Sequence, residues 1–142
     1  MSDLTLLYEL IKRFEGCKLT PYICPAGVWT CGWGSTGPDV FPGRKWTQAY
    51  ADQRLVSDVQ YFMNGVSALC PGLSGEPLLA ITDFAYNLGL GRLKASTLRR
   101  RINEKNYPAA AIELRKWVNG GGKKLPGLVL RREAECKLLL SL

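Results

Sequence analysis

The spacing of apolar side chains predicts a helix at the start of the chain. These residues recur at helical spacing, at Leu6, Leu7, Leu10, Ile11 and Phe14. The pattern predicts a helix over about 4–14, with Ser2 or Asp3 as its N-cap and Gly16 after its end. Glu15 would then lie at the C-terminal edge of this helix.

The helical period is lost between residues 16 and 43, where six glycines and four prolines interrupt the pattern. Within this segment Trp29, Cys31 and Trp33 alternate with small or polar residues. Such an alternation with period two predicts a strand in a small antiparallel sheet.

The pattern after Trp46 predicts further helices. Thr47 caps a long amphipathic helix that runs to about residue 66, and Glu76-Pro77 opens a very apolar helix that ends at Gly89. Three more are predicted: a short one capped by Ser96, one that runs from Pro108 to about residue 118, and a last one over about 126–140.

These elements predict a mainly α-helical α+β fold. We expect a single domain over 1–142, with a β-rich lobe at about 15–45 and a helical lobe at about 47–142 that the helix at 4–14 precedes. A small sheet that faces a helical lobe leaves a cleft between them, which is a common place for a ligand.

The composition excludes several kinds of catalytic site. The chain has no histidine, so it cannot form a Ser-His-Asp triad, a Cys-His dyad, an HExxH zinc site or a haem site with a proximal histidine. Proton transfer must use a carboxyl, thiol, amino or phenol group, or water. None of the five cysteines forms a CxxC pair, so we expect reduced thiols and no metal site.

The net charge of +7 favours binding to a polyanion, such as nucleic acid, anionic lipid or an acidic cell-wall polymer. The basic residues form no tail and no stripe interleaved with aromatic residues, so only the charge supports a nucleic-acid-binding domain. The first residues lack a long apolar core, and we therefore expect no secretory signal and no stable membrane insertion.

Three polar residues could share a pocket between the first helix and the sheet. Eight residues separate Glu15 from Cys24, and five separate Cys24 from Thr30. A buried carboxyl could donate a proton, a thiolate could act as base or nucleophile, and the threonine hydroxyl could hold a water. The alternatives are an ion pair of Glu15 with Lys12 or Lys18, an ordinary loop thiol, and an ordinary strand residue.

The segment from Phe14-Glu15-Gly16 through Pro21-Tyr22-Ile23-Cys24 to the run 27–34 resembles the catalytic segment of the phage-type lysozymes, the endolysin muramidases. Their signature is Glu, eight residues, Asp or Cys, five residues, Thr. The runs at 83–89, 96–99 and 117–132 also resemble blocks of this family, so the similarity covers nearly the whole chain. Most members carry Asp at the position of Cys24.

The resemblance implies a lysozyme-like two-lobed fold and hydrolysis of the β-1,4 bond between N-acetylmuramic acid and N-acetylglucosamine in peptidoglycan. Glu15 would be the general acid. Cys24 would polarise a water that Thr30 helps to hold, or would attack the sugar itself. Four further residues match positions near bound sugar: Thr36, Tyr86, Asn87 and Thr97. Core packing is the alternative role for Tyr86, and a structural role is expected for Arg131 and Arg132.

The sequence shows no sign of an oligomer or a metal, so we expect a monomer without a cofactor, and the resemblance implies that it acts on the bacterial wall. It would stay in the host cytoplasm until a separate holin permeabilises the membrane, and it would then lyse the host. Two other readings stay open because the second carboxylate is missing. One is a lytic transglycosylase on the same bond, and the other is a peptidoglycan-binding protein without catalytic activity.

Overall fold

The computed structural model describes residues 4–141, and within them the chain forms seven helices and two small antiparallel sheets. The elements in chain order are α1 (Leu4–Glu15), β1 (Lys18–Ile23), β2 (Trp29–Gly32), α2 (Gln48–Leu69), α3 (Gly75–Leu88), α4 (Leu90–Lys94), α5 (Thr97–Asn103), α6 (Tyr107–Leu114), β3 (Asn119–Gly120), β4 (Lys123–Lys124) and α7 (Pro126–Leu139). The predicted fold class, α+β and mainly helical, is confirmed.

The first helix and the first sheet agree with the sequence pattern. Helix α1 places Glu15 at its last residue, whereas the predicted N-caps Ser2 and Asp3 lie outside the described residues. Strands β1 and β2 pair antiparallel, with Tyr22 opposite Thr30. The predicted strand is confirmed over Trp29–Gly32, and Trp33 lies beyond its end.

Strand β2 ends at Gly32 because the chain turns there beneath a tryptophan. The backbone of Gly32 has a φ of +64°, and a β-carbon at this position would lie 2.9 Å from the Trp46 ring. Only glycine satisfies both the left-handed conformation and the close approach of the ring.

Two of the predicted helix starts are confirmed by their capping hydrogen bonds. The Thr47 hydroxyl accepts from the Tyr50 amide at 3.1 Å, and the Ser96 hydroxyl accepts from the Arg99 amide at 3.0 Å. Each cap satisfies an amide that the helix itself leaves without a partner. Helix α2 runs three residues beyond its predicted end and stops at Leu69.

The structure departs from the pattern between residues 89 and 124. Helix α4 and the β3–β4 hairpin were not predicted, and α6 ends at Leu114 instead of near residue 118. Trp117 leaves the helical path and packs edge-on against Phe84, with 5.5 Å between ring centroids. Tertiary packing of this large ring therefore overrides the local helical propensity of residues 115–118.

Helix α3 lies at the centre of the molecule and packs against α1, α2 and α7. Its residues from Leu79 to Ala85 are all buried, and they include the polar Thr82 and Asp83. No helix within residues 4–141 is both long enough and apolar enough to cross a membrane. The buried carboxylate of Asp83 connects this core to the candidate site.

Candidate active site

Glu15 is held at the end of α1 by an arginine from the other end of the chain. Arg131 of α7 donates from Nη1 to Glu15 Oε2 at 2.7 Å. Arg131 is buried, whereas the Glu15 side chain keeps 20% of its surface exposed. The expected alternative, a surface ion pair with Lys12 or Lys18, is therefore wrong, because the carboxylate contacts a buried cation instead.

The second oxygen of Glu15 lies against the backbone of Gly34. A β-carbon on Gly34 would come within 2.7 Å of Glu15 Oε1, and the φ of Gly34 is +88°. Glycine therefore allows the chain after the sheet to pass directly beside the carboxyl group. Arg131 therefore binds one oxygen of Glu15, and the other oxygen lies beside Gly34, which lines a cleft described below.

A buried ionic network supports Glu15 from behind. Arg131 makes two parallel hydrogen bonds to Asp83, each 2.9 Å long, and both side chains are buried. Burial disfavours the charged form of Asp83, but the charge and hydrogen bonds of Arg131 outweigh it and hold the pKa of Asp83 below its usual value. This bidentate pair fixes the direction in which Arg131 points toward Glu15.

The adjacent Arg132 extends the same network. It donates from Nη2 to Asn87 Oδ1 at 2.6 Å and to Glu135 Oε2 at 3.1 Å. Burial and the negative charge of Asp83 raise the pKa of Glu135 well above its usual value. A structural role is expected for both arginines, and Arg131 also contacts Glu15 directly.

Cys24 lies at the start of the turn that joins β1 to β2. Its amide donates to the Val28 carbonyl at 2.9 Å, and its carbonyl accepts from the Gly27 amide at 2.8 Å. The Val28 backbone hydrogen bond is the largest influence on the thiol, and with those of Ala26 and Thr30 it lowers the pKa of Cys24 despite some desolvation. The polar groups of this turn therefore favour the thiolate form of Cys24.

Thr30 and Tyr22 lie opposite each other on β2 and β1, close to Cys24 in the chain. Thr30 is buried, and its hydroxyl donates to the Val28 carbonyl at 3.0 Å while it also lies within reach of the Cys24 sulfur. Burial, and then the charges of Glu15 and Cys24, raise the pKa of Tyr22.

A cleft of about 290 Å³ opens next to Glu15. Its walls come from the chain after β2, from α2 and from the end of α3, with lining residues Gly34, Ser35, Thr36, Asp58, Tyr61, Phe62, Tyr86 and Asn87. Tyr86 is half-buried, and its hydroxyl donates to the Trp33 carbonyl at 2.5 Å. Burial is the main reason that the pKa of Tyr86 is raised, so Tyr86 presents a neutral phenol.

Helix α2 anchors the cleft wall that carries Thr36. Arg54 donates from Nη2 to the Thr36 carbonyl at 2.8 Å and also forms an ion pair with Asp39. The Ser35 hydroxyl donates to Asp58 Oδ2 at 2.6 Å. These contacts hold the backbone at residues 35–39 against α2, so the position of Thr36 is set by the helix.

Three of the four predicted sugar-binding residues, Thr36, Tyr86 and Asn87, line this cleft. Thr97 is the first residue of α5 and lies outside the cleft lining. The roles of these four residues, and those of Glu15, Cys24 and Thr30, stay predictions.

Sequence reasoning missed the contact of Arg131 with Glu15 and the contribution of α2 to the cleft. Glu15 and Arg131 are 116 positions apart in the sequence, so no local pattern signals their contact. Tyr61 did carry a signal, since this aromatic residue falls outside the apolar stripe of α2 and is 65% exposed. Such a ring at a cleft wall offers a flat apolar face to a ligand.

The described part of the chain, residues 4–141, contains no group of three or more Cys, Asp or Glu side chains that could hold a metal ion. All five cysteines are free thiols.

The sequence and the fold are similar to those of known proteins. The family model described as Phage lysozyme matches residues 12–135. The endolysin of Bacillus phage B103 is 41% identical over 94% of this chain and 52% of its own length. The endolysin of Acyrthosiphon pisum secondary endosymbiont phage 1 is 38% identical over 93% of both.

A solved structure, the muramidase domain of SpmX from Asticaccaulis excentricus, superposes with a TM-score of 0.86 at 29% identity and covers 99% of both chains. The chain spans about half the length of the Bacillus phage relative. The similarity thus includes every element from α1 to α7.

Proposed function

The chain belongs to the phage lysozyme family, and we propose that it is an endolysin that hydrolyses the β-1,4 bond between N-acetylmuramic acid and N-acetylglucosamine in bacterial peptidoglycan. The observation that carries this proposal is the fixed position of Glu15. One of its oxygens is bound by Arg131, and the other lies beside Gly34 at the rim of a cleft that holds hydroxyl, amide and aromatic groups.

In this reaction Glu15 acts as the general acid. Its carboxyl proton passes to the glycosidic oxygen as the bond to the anomeric carbon breaks. The side chain has the partial exposure that contact with a sugar requires. Arg131 positions the carboxyl group and then pairs with the carboxylate that the proton transfer leaves.

Cys24 and Thr30 activate the water in the proposed mechanism. The Thr30 hydroxyl holds the water, whose oxygen bonds to the anomeric carbon while its proton passes to the Cys24 thiolate. The polar groups of the turn support this role because they favour the thiolate. Attack by Cys24 itself, with a covalent intermediate and retention of configuration, is the alternative route.

The proposed biological role is lysis of the bacterial host. Peptidoglycan is the proposed substrate, with Thr36, Tyr86, Asn87 and Thr97 as its binding residues. We propose that the monomeric protein accumulates in the host cytoplasm and reaches the wall after a separate holin permeabilises the membrane. The endolysin names of the relatives support this role.

Mass spectrometry of fragments released from purified peptidoglycan tests the proposed reaction. Hydrolysis should release fragments that end in reducing N-acetylmuramic acid. Ends of 1,6-anhydro-muramic acid, lighter by one water, would instead identify a lytic transglycosylase. Binding to the wall with no fragments released would identify a binding protein without catalytic activity.

Alkylation of Cys24 should stop hydrolysis. Cys24 is half-buried with a lowered pKa, whereas Cys31, Cys70 and Cys136 are buried, so iodoacetamide at neutral pH should label Cys24 well before those three. Peptide mapping should show loss of activity in parallel with labelling. Cys24→Ser should lower the rate about tenfold or more, because a hydroxyl does not ionise at this pH.

The partly exposed Cys17 provides the matched control for this prediction. The Cys17→Ser variant should keep wild-type activity and stay sensitive to iodoacetamide. Unchanged activity after both Cys24→Ser and full alkylation of position 24 would remove this residue from the mechanism.

A further inference from the structure

The positive charge of the protein is concentrated in one part of the chain. Residues 91–124 contain ten of the 19 basic residues and two of the twelve acidic ones. Both acidic residues are already paired, Glu104 with Arg101 at 2.9 Å and Glu113 with Lys116 at 2.7 Å. Because the rest of the chain has a net charge of −1, the whole net charge of the protein is on this segment.

This segment forms a groove between the end of α4 and one side of α5. The groove, here called the basic groove, has a volume of about 390 Å³ and is lined by Lys94, Ala95, Ser96, Arg99, Arg100, Asn103 and Glu104. Arg99 is held in place, since its Nε donates to the Leu69 carbonyl at 2.9 Å and its Nη1 to the Lys94 carbonyl at 3.3 Å. The groove therefore has a fixed guanidinium and two other cations.

The two other cations are available to a ligand. Lys94 and Arg100 are exposed, and among the residues that the structure describes no carboxylate forms an ion pair with either. Four more basic residues of the same segment are also exposed: Arg92, Lys105, Lys123 and Lys124. Several spaced cations fit a polymer with repeated negative charges better than a single small anion.

The basic groove is joined to the cleft through the short helix α4. Asn87, which lines the cleft, is seven residues before Lys94, and only the short helix α4 separates them. Leu90 of α4 packs against Gly65 of α2, where a β-carbon would lie 2.4 Å from the leucine side chain. The groove is therefore fixed to the helix that also forms a wall of the cleft.

We propose that the basic groove binds the phosphodiester backbone of an anionic polymer attached to peptidoglycan, and thereby keeps the cleft at the glycan strands. This inference rests on the proposed function for its biological context. Guanidinium and ammonium groups both pair with phosphate oxygens, and a phosphodiester backbone repeats its negative charge along its length as the basic groove and its segment repeat their positive charge.

Two other polyanionic partners fit the surface less well. Nucleic acid binding without sequence preference uses exposed aromatic rings for stacking, but both aromatic residues of the segment, Tyr107 and Trp117, pack against the core. Insertion into an anionic membrane needs exposed apolar side chains, and Ile112 is the one large apolar residue of residues 91–124 that is exposed.

The test measures binding of fluorescently labelled poly(glycerol phosphate) to the full chain at physiological ionic strength. The groove variant is Lys94→Gln with Arg100→Gln, and the control is Lys45→Gln with Lys137→Gln. All four residues are exposed, and the two double variants have the same net charge. The groove variant should bind about tenfold more weakly, and the control should stay within about twofold of wild type.

A charge-preserving variant, Lys94→Arg with Arg100→Lys, should keep most of the binding. It shows whether the groove variant loses affinity because it loses charge or because it misfolds. Equal weakening in the groove and control variants would overturn the proposal, because net charge alone would then explain binding. Equally tight binding of poly-γ-glutamate, duplex DNA or phosphatidylglycerol vesicles would overturn it as well.

Hydrolysis assays separate this inference from the proposed function. The groove variant should lose activity on walls that carry the phosphate polymer and keep it on peptidoglycan from which the polymer has been extracted. If wild type releases no fragments from either wall, the proposed function fails, whereas the binding measurement still decides the groove.

Discussion

Replacing Glu15 by glutamine should reduce peptidoglycan hydrolysis by about 10²–10⁴-fold, the usual contribution of a general acid. The amide has nearly the same shape as the carboxyl group, and its oxygen can still accept from Arg131 Nη1. It has no acidic proton to give to the leaving oxygen. The measurement is the rate of fragment release, with the fold checked by circular dichroism.

The matched control for this variant is Glu9→Gln, which removes an exposed carboxylate from the same helix. We expect wild-type activity for Glu9→Gln and a Tm for Glu15→Gln within about 3 °C of wild type, because Arg131 keeps its two bonds to Asp83. Hydrolysis by Glu15→Gln at nearly the wild-type rate would contradict the acid role.

Loss of Asp83 should destabilise the protein by about 3–5 kcal/mol, because Arg131 would be left buried without its main counter-charge. For a chain of this size, the Asp83→Asn variant should melt about 10–17 °C below wild type. Thermal unfolding followed by circular dichroism measures the difference. Activity should fall as well, since the guanidinium that positions Glu15 loses its anchor.

Two variants test whether the unpaired charge causes this loss. Glu133→Gln breaks an exposed ion pair with Arg115 and should cost no more than about 1 kcal/mol. Asp83→Leu combined with Arg131→Met removes both buried charges and should recover part of the stability, though not the activity. A double variant no more stable than Asp83→Asn would contradict this explanation.

The ion pair of Asp83 with Arg131 also predicts how the stability of the protein depends on pH. The pKa of Asp83 is lower in the folded protein than the value of about 3.9 in an unfolded chain. The contribution of Asp83 to the free energy of unfolding is therefore complete above the pKa of the unfolded state. It is lost as the pH falls through the pKa of the folded state. The difference in Tm between wild type and Asp83→Asn should be constant near neutral pH and shrink in acid.

Local patterns were sufficient for most of the secondary structure. The periods of α1, α2 and α3, the caps Thr47 and Ser96, and the alternation at Trp29 and Cys31 depend on residues a few positions apart. Such signals act within one or two turns and are therefore readable in order along the chain. The spacing of Glu15, Cys24 and Thr30 likewise suggested a shared site because all three lie in one short segment.

Local patterns failed where packing between distant residues determines the backbone conformation. Helix α6 ends early because the Trp117 ring packs against Phe84 of α3. The short helix α4 exists where Leu90 meets Gly65 of α2. Neither partner is close in sequence, so propensity alone gave the wrong result at these positions.

By itself, the sequence determined the helical character of the chain, the small sheet, the exclusion of histidine chemistry and the candidate residues near the first helix. Only the tertiary structure decided what Glu15 contacts, since Arg131 and Asp83 meet through the packing of α7 on α3. It also decided that the positive charge lines a groove. The physical reason is that burial and ionic contacts depend on which distant surfaces pack together, which no local spacing encodes.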